Sequence, residues 1–98
     1  MPGVHRSGDS TSGHGCWPPT TPASYSSRFI VNGKGAVRSG DSIVVHCCVD
    51  PPYPCHGGSY ISSIASNFVV EGAGIIVSGD PVSCGDSASG CSGNFICG

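Results

Sequence analysis

The stretch Phe29-Ile30-Val31-Asn32-Gly33-Lys34-Gly35-Ala36-Val37-Arg38-Ser39-Gly40-Asp41 constrains this chain most, because it occurs twice. Its second copy is Phe68-Val69-Val70-Glu71-Gly72-Ala73-Gly74-Ile75-Ile76-Val77-Ser78-Gly79-Asp80, aligned without a gap at an offset of 39, from 29 to 68. Each copy reads as strand, turn, strand, stop. Phe29 to Val31 is β-prone, and Asn32-Gly33 tolerates the positive φ of a tight primed turn. Ala36 to Arg38 is the expected return strand, ended by Gly40-Asp41. A third copy is divided between the chain ends. Phe95-Ile96-Cys97-Gly98 matches Phe29 to Asn32, and Gly3-Val4-His5-Arg6-Ser7-Gly8-Asp9 matches Gly35 to Asp41, with the register kept if Met1 followed Gly98. The expectation is an all-β domain, 1–98, of three short hairpin repeats closed into a pseudo-threefold object, with one hairpin completed by the two termini.

A 98-residue chain is one small domain that often needs a staple beyond its core. Sixteen glycines and 8 prolines argue for turns and short strands, and no window has helical apolar spacing over three turns. With 10 % charged residues and a net charge of −2, the chain lacks the basic face that binds nucleic acid. No stretch approaches a membrane span, and the first residues have no signal-peptide pattern. Seven cysteines would suit a secreted disulfide framework. The odd count, the missing signal peptide and the histidines among the cysteines point instead towards zinc.

Between the repeats lie a polar connector from Ser10 to Gly15, a stiff loop from Cys16 to Pro22, and a short strand expected over Ser42 to His46. The segment from Cys47 to Gly58 reads as an irregular insertion, and Ser59 to Asn67 leads back to the second copy. Phe29, Phe68 and Phe95 are the three phenylalanines of the chain, at the same position in each unit. They are expected to form a core layer around the axis; the alternative is that they contact a partner at one end.

The residues after each Gly-Asp pair carry the metal chemistry. Asp9 is followed five residues later by His14, Asp41 five later by His46, and Asp80 four later by Cys84. Threefold packing would bring these positions together, and His56 from the insertion would make a fourth ligand. Zinc accepts both imidazole and thiolate. Four protein ligands make a closed, structural site that would cross-link distant segments. The alternative is that the histidines are exposed loop residues and Cys84 a small buried apolar group. Cys16, Cys47, Cys48 and Cys55 are rival ligands or disulfide partners, with adjacent Cys47 and Cys48 ill-placed to bond each other. Cys91 and Cys97 read as packing residues. His5 aligns with Val37 and Ile76 and reads as a strand position. Catalysis has little support: there is no Gly-x-Ser-x-Gly elbow or HExxH helix, and the one glutamate, Glu71, falls in a hairpin turn.

Val31-Asn32-Gly33 with Ala36 to Asp41, Cys55-His56-Gly57-Gly58, Gly79-Asp80-Pro81-Val82-Ser83-Cys84-Gly85 and the opening Met1 to Asp9 resemble the PAAR-repeat proteins, named for a Pro-Ala-Ala-Arg motif. The resemblance covers essentially the whole chain. The tetrapeptide is degenerate: glycine stands at 3, 35 and 74 in place of the proline, and Val77 in place of one arginine. The resemblance implies a small β-rich cone with a metal-stapled tip. Such a cone caps the trimeric β-helical spike (VgrG-like or phage central spike) of a type VI secretion system or contractile phage tail, sharpening it for membrane piercing. It implies one copy per spike trimer, transient contact with the target membrane, and assembly in the cytoplasm before outward delivery. It also implies one zinc near the tip, which falls on His14, His46, His56 and Cys84.

The rival readings are an adaptor that recruits effector cargo to the spike and a disulfide-stapled extracellular binding module. The closing strand at Gly98 leaves no room within this sequence for a fused toxin. Free thiols separate the second rival: a metal site needs reduced cysteines, whereas a framework leaves at most one.

Overall fold

The computed structural model describes residues 3–62 and 68–96. The body is elongated, 41 × 23 × 23 Å, and the described residues contain no helix. Among the described residues the strands, each of two residues, are β1 Ile30–Val31, β2 Lys34–Gly35, β3 His46–Cys47, β4 Cys55–His56, β5 Val69–Val70 and β6 Ala73–Gly74. They pair antiparallel as β1–β2, β3–β4 and β5–β6.

The first and third of these sheets are the two complete repeats. In β1–β2, Asn32 and Gly33 both take positive φ, 54° and 78°, and Glu71 and Gly72 do the same between β5 and β6, at 52° and 83°. Two successive left-handed residues make the primed turn whose twist matches the flanking strands. The chain ends supply the third pairing. Gly3 bridges Ile96 antiparallel, and Val4 N–H donates to Phe95 O at 3.0 Å. Ala36 and Ile75 donate to Phe29 O and Phe68 O in the same way, at 2.9 and 3.0 Å. The third hairpin was also expected to include Met1–Pro2 and Cys97–Gly98, which lie outside the described residues, as do 63–67 of the return segment.

The return strands are shorter than expected, because beyond Ala36 the chain leaves its own hairpin and pairs with the neighbouring units. Arg6 bridges Ala36, Arg38 bridges Ile75, and Val77 bridges Val4. Val37 N–H donates to His5 O, Ile76 N–H to Val37 O, and His5 N–H to Ile76 O, all at 2.9–3.0 Å. Ser7, Ser39 and Ser78 repeat the cycle with Gly35, Gly74 and Gly3 at 2.7–2.8 Å. Each unit therefore uses the edge of the next, and the third returns to the first. A turn closes each unit, where Asp9, Asp41 and Asp80 carboxylates accept the backbone N–H of Arg6, Arg38 and Val77. Arg6 and Arg38 add a guanidinium contact to the same aspartate.

Alternate residues of these segments face two apolar clusters. Val4, Val31, Ala36, Val70, Ile75 and Val77 form one, against which Phe29, Phe68 and Phe95 pack. The three rings make a near-equilateral triangle, with centroids 5.6, 5.6 and 5.7 Å apart and every pair edge-to-face, the geometry that aromatic quadrupoles favour. Val37, Ile43, Tyr60, Ile76, Val82 and Ala88 form the second cluster, with Cys84 against it. The phenylalanines thus adjoin one layer of the core and Cys84 the other.

Two further expectations change in detail. The strand over Ser42 to His46 is split, with single bridges at Ser42 and Ile43 and a separate β3 beginning at His46. Val44 and Val45 between them are exposed. The insertion from Cys47 to Gly58 is not wholly irregular, since β4 folds back on β3.

His5 is the polar member of the ring layer and is fully buried. Its Nδ1 lies 2.7 Å from Gly90 O, and its Nε2 3.0 Å from the Tyr60 hydroxyl. A neutral ring satisfies both, with Nδ1–H donating to the carbonyl and Nε2 accepting from the phenol. Burial pushes its pKa below the ordinary 6.5, with the Gly90 carbonyl opposing. The unfolded chain therefore takes up this proton first. The contribution of His5 to stability is present above about pH 6.5 and lost as the pH falls towards the depressed folded value. The stability advantage of the wild type over His5→Gln, read by urea unfolding, should shrink between pH 7 and pH 5.

Gly35 shows why the motif's proline is absent here: a Cβ at this position would lie 2.2 Å from Ser26 O. At Gly33 the space is open and only the positive φ resists a side chain. Gly33→Ala should cost about 1–2 kcal/mol, and Gly35→Ala about 3 kcal/mol or more, because backbone must move. Urea midpoints in that order are expected.

Candidate metal centre

The β3–β4 sheet sets two of the histidines side by side. Its register pairs His46 with His56 and Cys47 with Cys55. Because side chains alternate across a strand, the imidazoles share one face and the cysteines the other, where they are joined as a disulfide. His14 comes from the connector, in a turn where His14 and Trp17 exchange backbone hydrogen bonds at 3.0 and 2.8 Å. A second disulfide, Cys16–Cys48, ties this turn to the end of β3. Cys84 follows Val82 in a turn closed by Gly85 N–H on Val82 O at 3.0 Å.

The structure brings His14, His46, His56 and Cys84 together. Each offers one ligand atom, and these atoms all lie within 4.8 Å of one another. Ligands around a tetrahedral zinc stand about 3.3–3.6 Å apart, so small side-chain adjustments span the difference. His46 and His56 face each other through Nε2, 2.7 Å apart. His46 Nδ1 lies 2.8 Å from Pro18 O. That carbonyl requires the proton on Nδ1, which leaves Nε2 of His46 with a free lone pair. His56 must then supply the proton between the two rings, and a cation would take that proton's place. Desolvation, and after it the neighbouring His46 and His14, push the His56 pKa down, which favours the neutral ligand form.

Asp86 orients His14. Its carboxylate is buried, contacts His14 Nδ1, and accepts from Thr11 Oγ1 at 2.6 Å. Burial pushes this carboxyl up, but the hydrogen bonds from Thr11 and His14 outweigh it and hold its pKa below the ordinary value. A carboxylate behind a metal-facing histidine fixes the tautomer and orientation of the ring. Trp17 forms the outer wall, stacked on His56 at 4.5 Å and on His14 at 5.2 Å. These donors suit a borderline-soft cation of the zinc kind, and the group could hold a metal.

The sequence reading missed Asp86 and Trp17. Asp86 had a signal, as the only charged residue among positions 81–98. Trp17 had none, because its stacking depends on how two loops meet. Cys16, Cys47, Cys48 and Cys55 are disulfide partners and not rival ligands here, while Cys84 and Cys91 are free among the described residues. Disulfides and a histidine–cysteine group therefore coexist, so thiol counting does not separate the two readings. Cys97 lies outside the described residues. Replacing Asp86 by Ala should cost the metal-free chain about 1–3 kcal/mol, through the stranded Thr11 and His14 donors. Chemical denaturation with a chelator present measures it.

No curated protein matches the chain. A family model, the PAAR motif, matches residues 7–89. That span holds both complete hairpins, all four members of the histidine–cysteine group, and Asp86 behind them. The chain belongs to the PAAR motif family.

Proposed function

We propose that residues 1–98 form one PAAR domain, a pseudo-threefold cone that caps the trimeric β-helical spike of a contractile injection machine. The spike is VgrG-like or a phage central spike, bound at one cap per trimer, and the cap sharpens it for membrane piercing. The observation that carries this reading is the equivalence of three exposed positions beside the phenylalanine triangle. Ile30, Val69 and Ile96 occupy the same place in each unit and are 52, 55 and 50 % exposed. An apolar ring of this kind is costly to leave in water and suits the apolar end of a threefold partner.

His14, His46, His56 and Cys84 would hold one structural zinc on the side of the core away from the phenylalanines. Four protein ligands fill a tetrahedral zinc and leave no position for a substrate, in keeping with a structural family. The ion would join three loops where little apolar core remains. The work of penetration comes from the machine, so the cap needs rigidity and no chemistry. At work it would sit at the tip of the assembled apparatus.

Two sets of variants test the two ends. Ile30→Asp with Val69→Asp should leave melting nearly unchanged but abolish co-elution with a purified spike trimer; full retention would contradict the docking face. Cys84→Ala or His46→Ala should lose zinc and lower Tm by several degrees. Unchanged metal content and melting would remove that residue from the site.

A further inference from the structure

The two disulfides differ in their surroundings. Cys47–Cys55 spans the small sheet, but Cys16–Cys48 has an acid beside it. A carboxylate oxygen of Asp50 lies within 4.8 Å of both sulfurs of the Cys16–Cys48 disulfide. The Asp50 backbone N–H lies 3.4 Å from Cys48 Sγ, a contact that stabilises charge on sulfur. Asp50 is fixed by a turn in which Tyr53 N–H donates to its carbonyl at 2.8 Å.

The two segments that carry the sulfurs are also held together without the disulfide. Val49 N–H donates to Cys16 O at 3.1 Å, Cys48 N–H to Pro54 O at 2.8 Å, and Trp17 Nε1–H to the same carbonyl at 3.2 Å. Opening the S–S bond would therefore leave two thiols and a carboxylate facing one another.

We propose that the reduced chain binds a second, thiophilic divalent cation of the zinc class through Cys16, Cys48 and Asp50, at a site that the Cys16–Cys48 disulfide closes. A dithiol reductant passes two electrons to the disulfide and becomes a disulfide itself, leaving two cysteine thiols. Each thiol releases its proton to solvent as it takes the cation, and Asp50 is the third ligand. Water completes the tetrahedron. In the oxidised chain the sulfurs carry no thiolate charge and Asp50 alone cannot hold the ion. Disulfides persist in oxidising compartments and are kept as thiols in reducing ones. The same two segments would thus be tied by metal in one setting and by a covalent bond in the other. This site shares no ligand with His14, His46, His56 and Cys84.

Native mass spectrometry of the full chain with zinc, oxidised and after reduction by a trialkylphosphine, tests the proposal. The reduced chain should carry one more zinc than the oxidised chain. The extra ion should be lost in Cys16→Ser/Cys48→Ser and in Asp50→Ala. Cobalt(II) substitution of the wild type gives a second reading that needs no variant: thiolate-to-cobalt absorption should rise on reduction. Equal metal counts and unchanged cobalt absorption in the two states would overturn the proposal. So would an extra ion that survives loss of Cys16 and Cys48, which would assign it to Cys47 and Cys55. The histidine–cysteine group is read separately, from the ion count of the oxidised chain.

Discussion

The fold depends on a cycle of backbone hydrogen bonds, in which His5, Val37 and Ile76 each donate to the equivalent residue of a neighbouring unit. Two-residue strands have almost no stability alone. Here no unit stands alone, because the edge left free by one hairpin is taken by the next. The terminal pairing of Gly3 with Ile96 makes the third unit equivalent to the other two. The ring positions its side chains in two layers, so that the phenylalanines gather against one and Cys84 against the other.

That arrangement explains why the two faces differ chemically. Near the phenylalanines the units are nearly alike, and equivalent residues meet the solvent as one apolar ring. Beyond the second layer the units diverge. One contributes His14 from a connector, one contributes His46 and a folded insertion with His56, and one contributes Cys84 from a tight turn. Core residues are scarce among these loops, and cross-links replace them: two disulfides, the Asp86 carboxylate beneath His14, and the stacked Trp17.

Much of this was legible in the sequence wherever the constraint is local. Asn32-Gly33 and Glu71-Gly72 announce the hairpins because few residues accept two successive positive φ values. The divided third copy announces closure because its register survives the join. The meeting of His14, His46 and Cys84 followed from their spacing after each Gly-Asp. What could not be read depends on relations between units or loops. The strands are short because the chain beyond Ala36 serves the neighbouring units, which a single repeat does not reveal. The Cys16–Cys48 and Cys47–Cys55 pairing depends on how β4 returns to β3. Asp86 acts from beneath another unit's histidine.

The central claim is that one chain supplies all three units and so matches a threefold partner by itself. The mass of the complex between this chain and the β-helical end of a trimeric spike, from light scattering after gel filtration, tests it most directly. The account predicts one copy per trimer. Three copies per trimer would mean that each spike chain binds its own cap, and would contradict it.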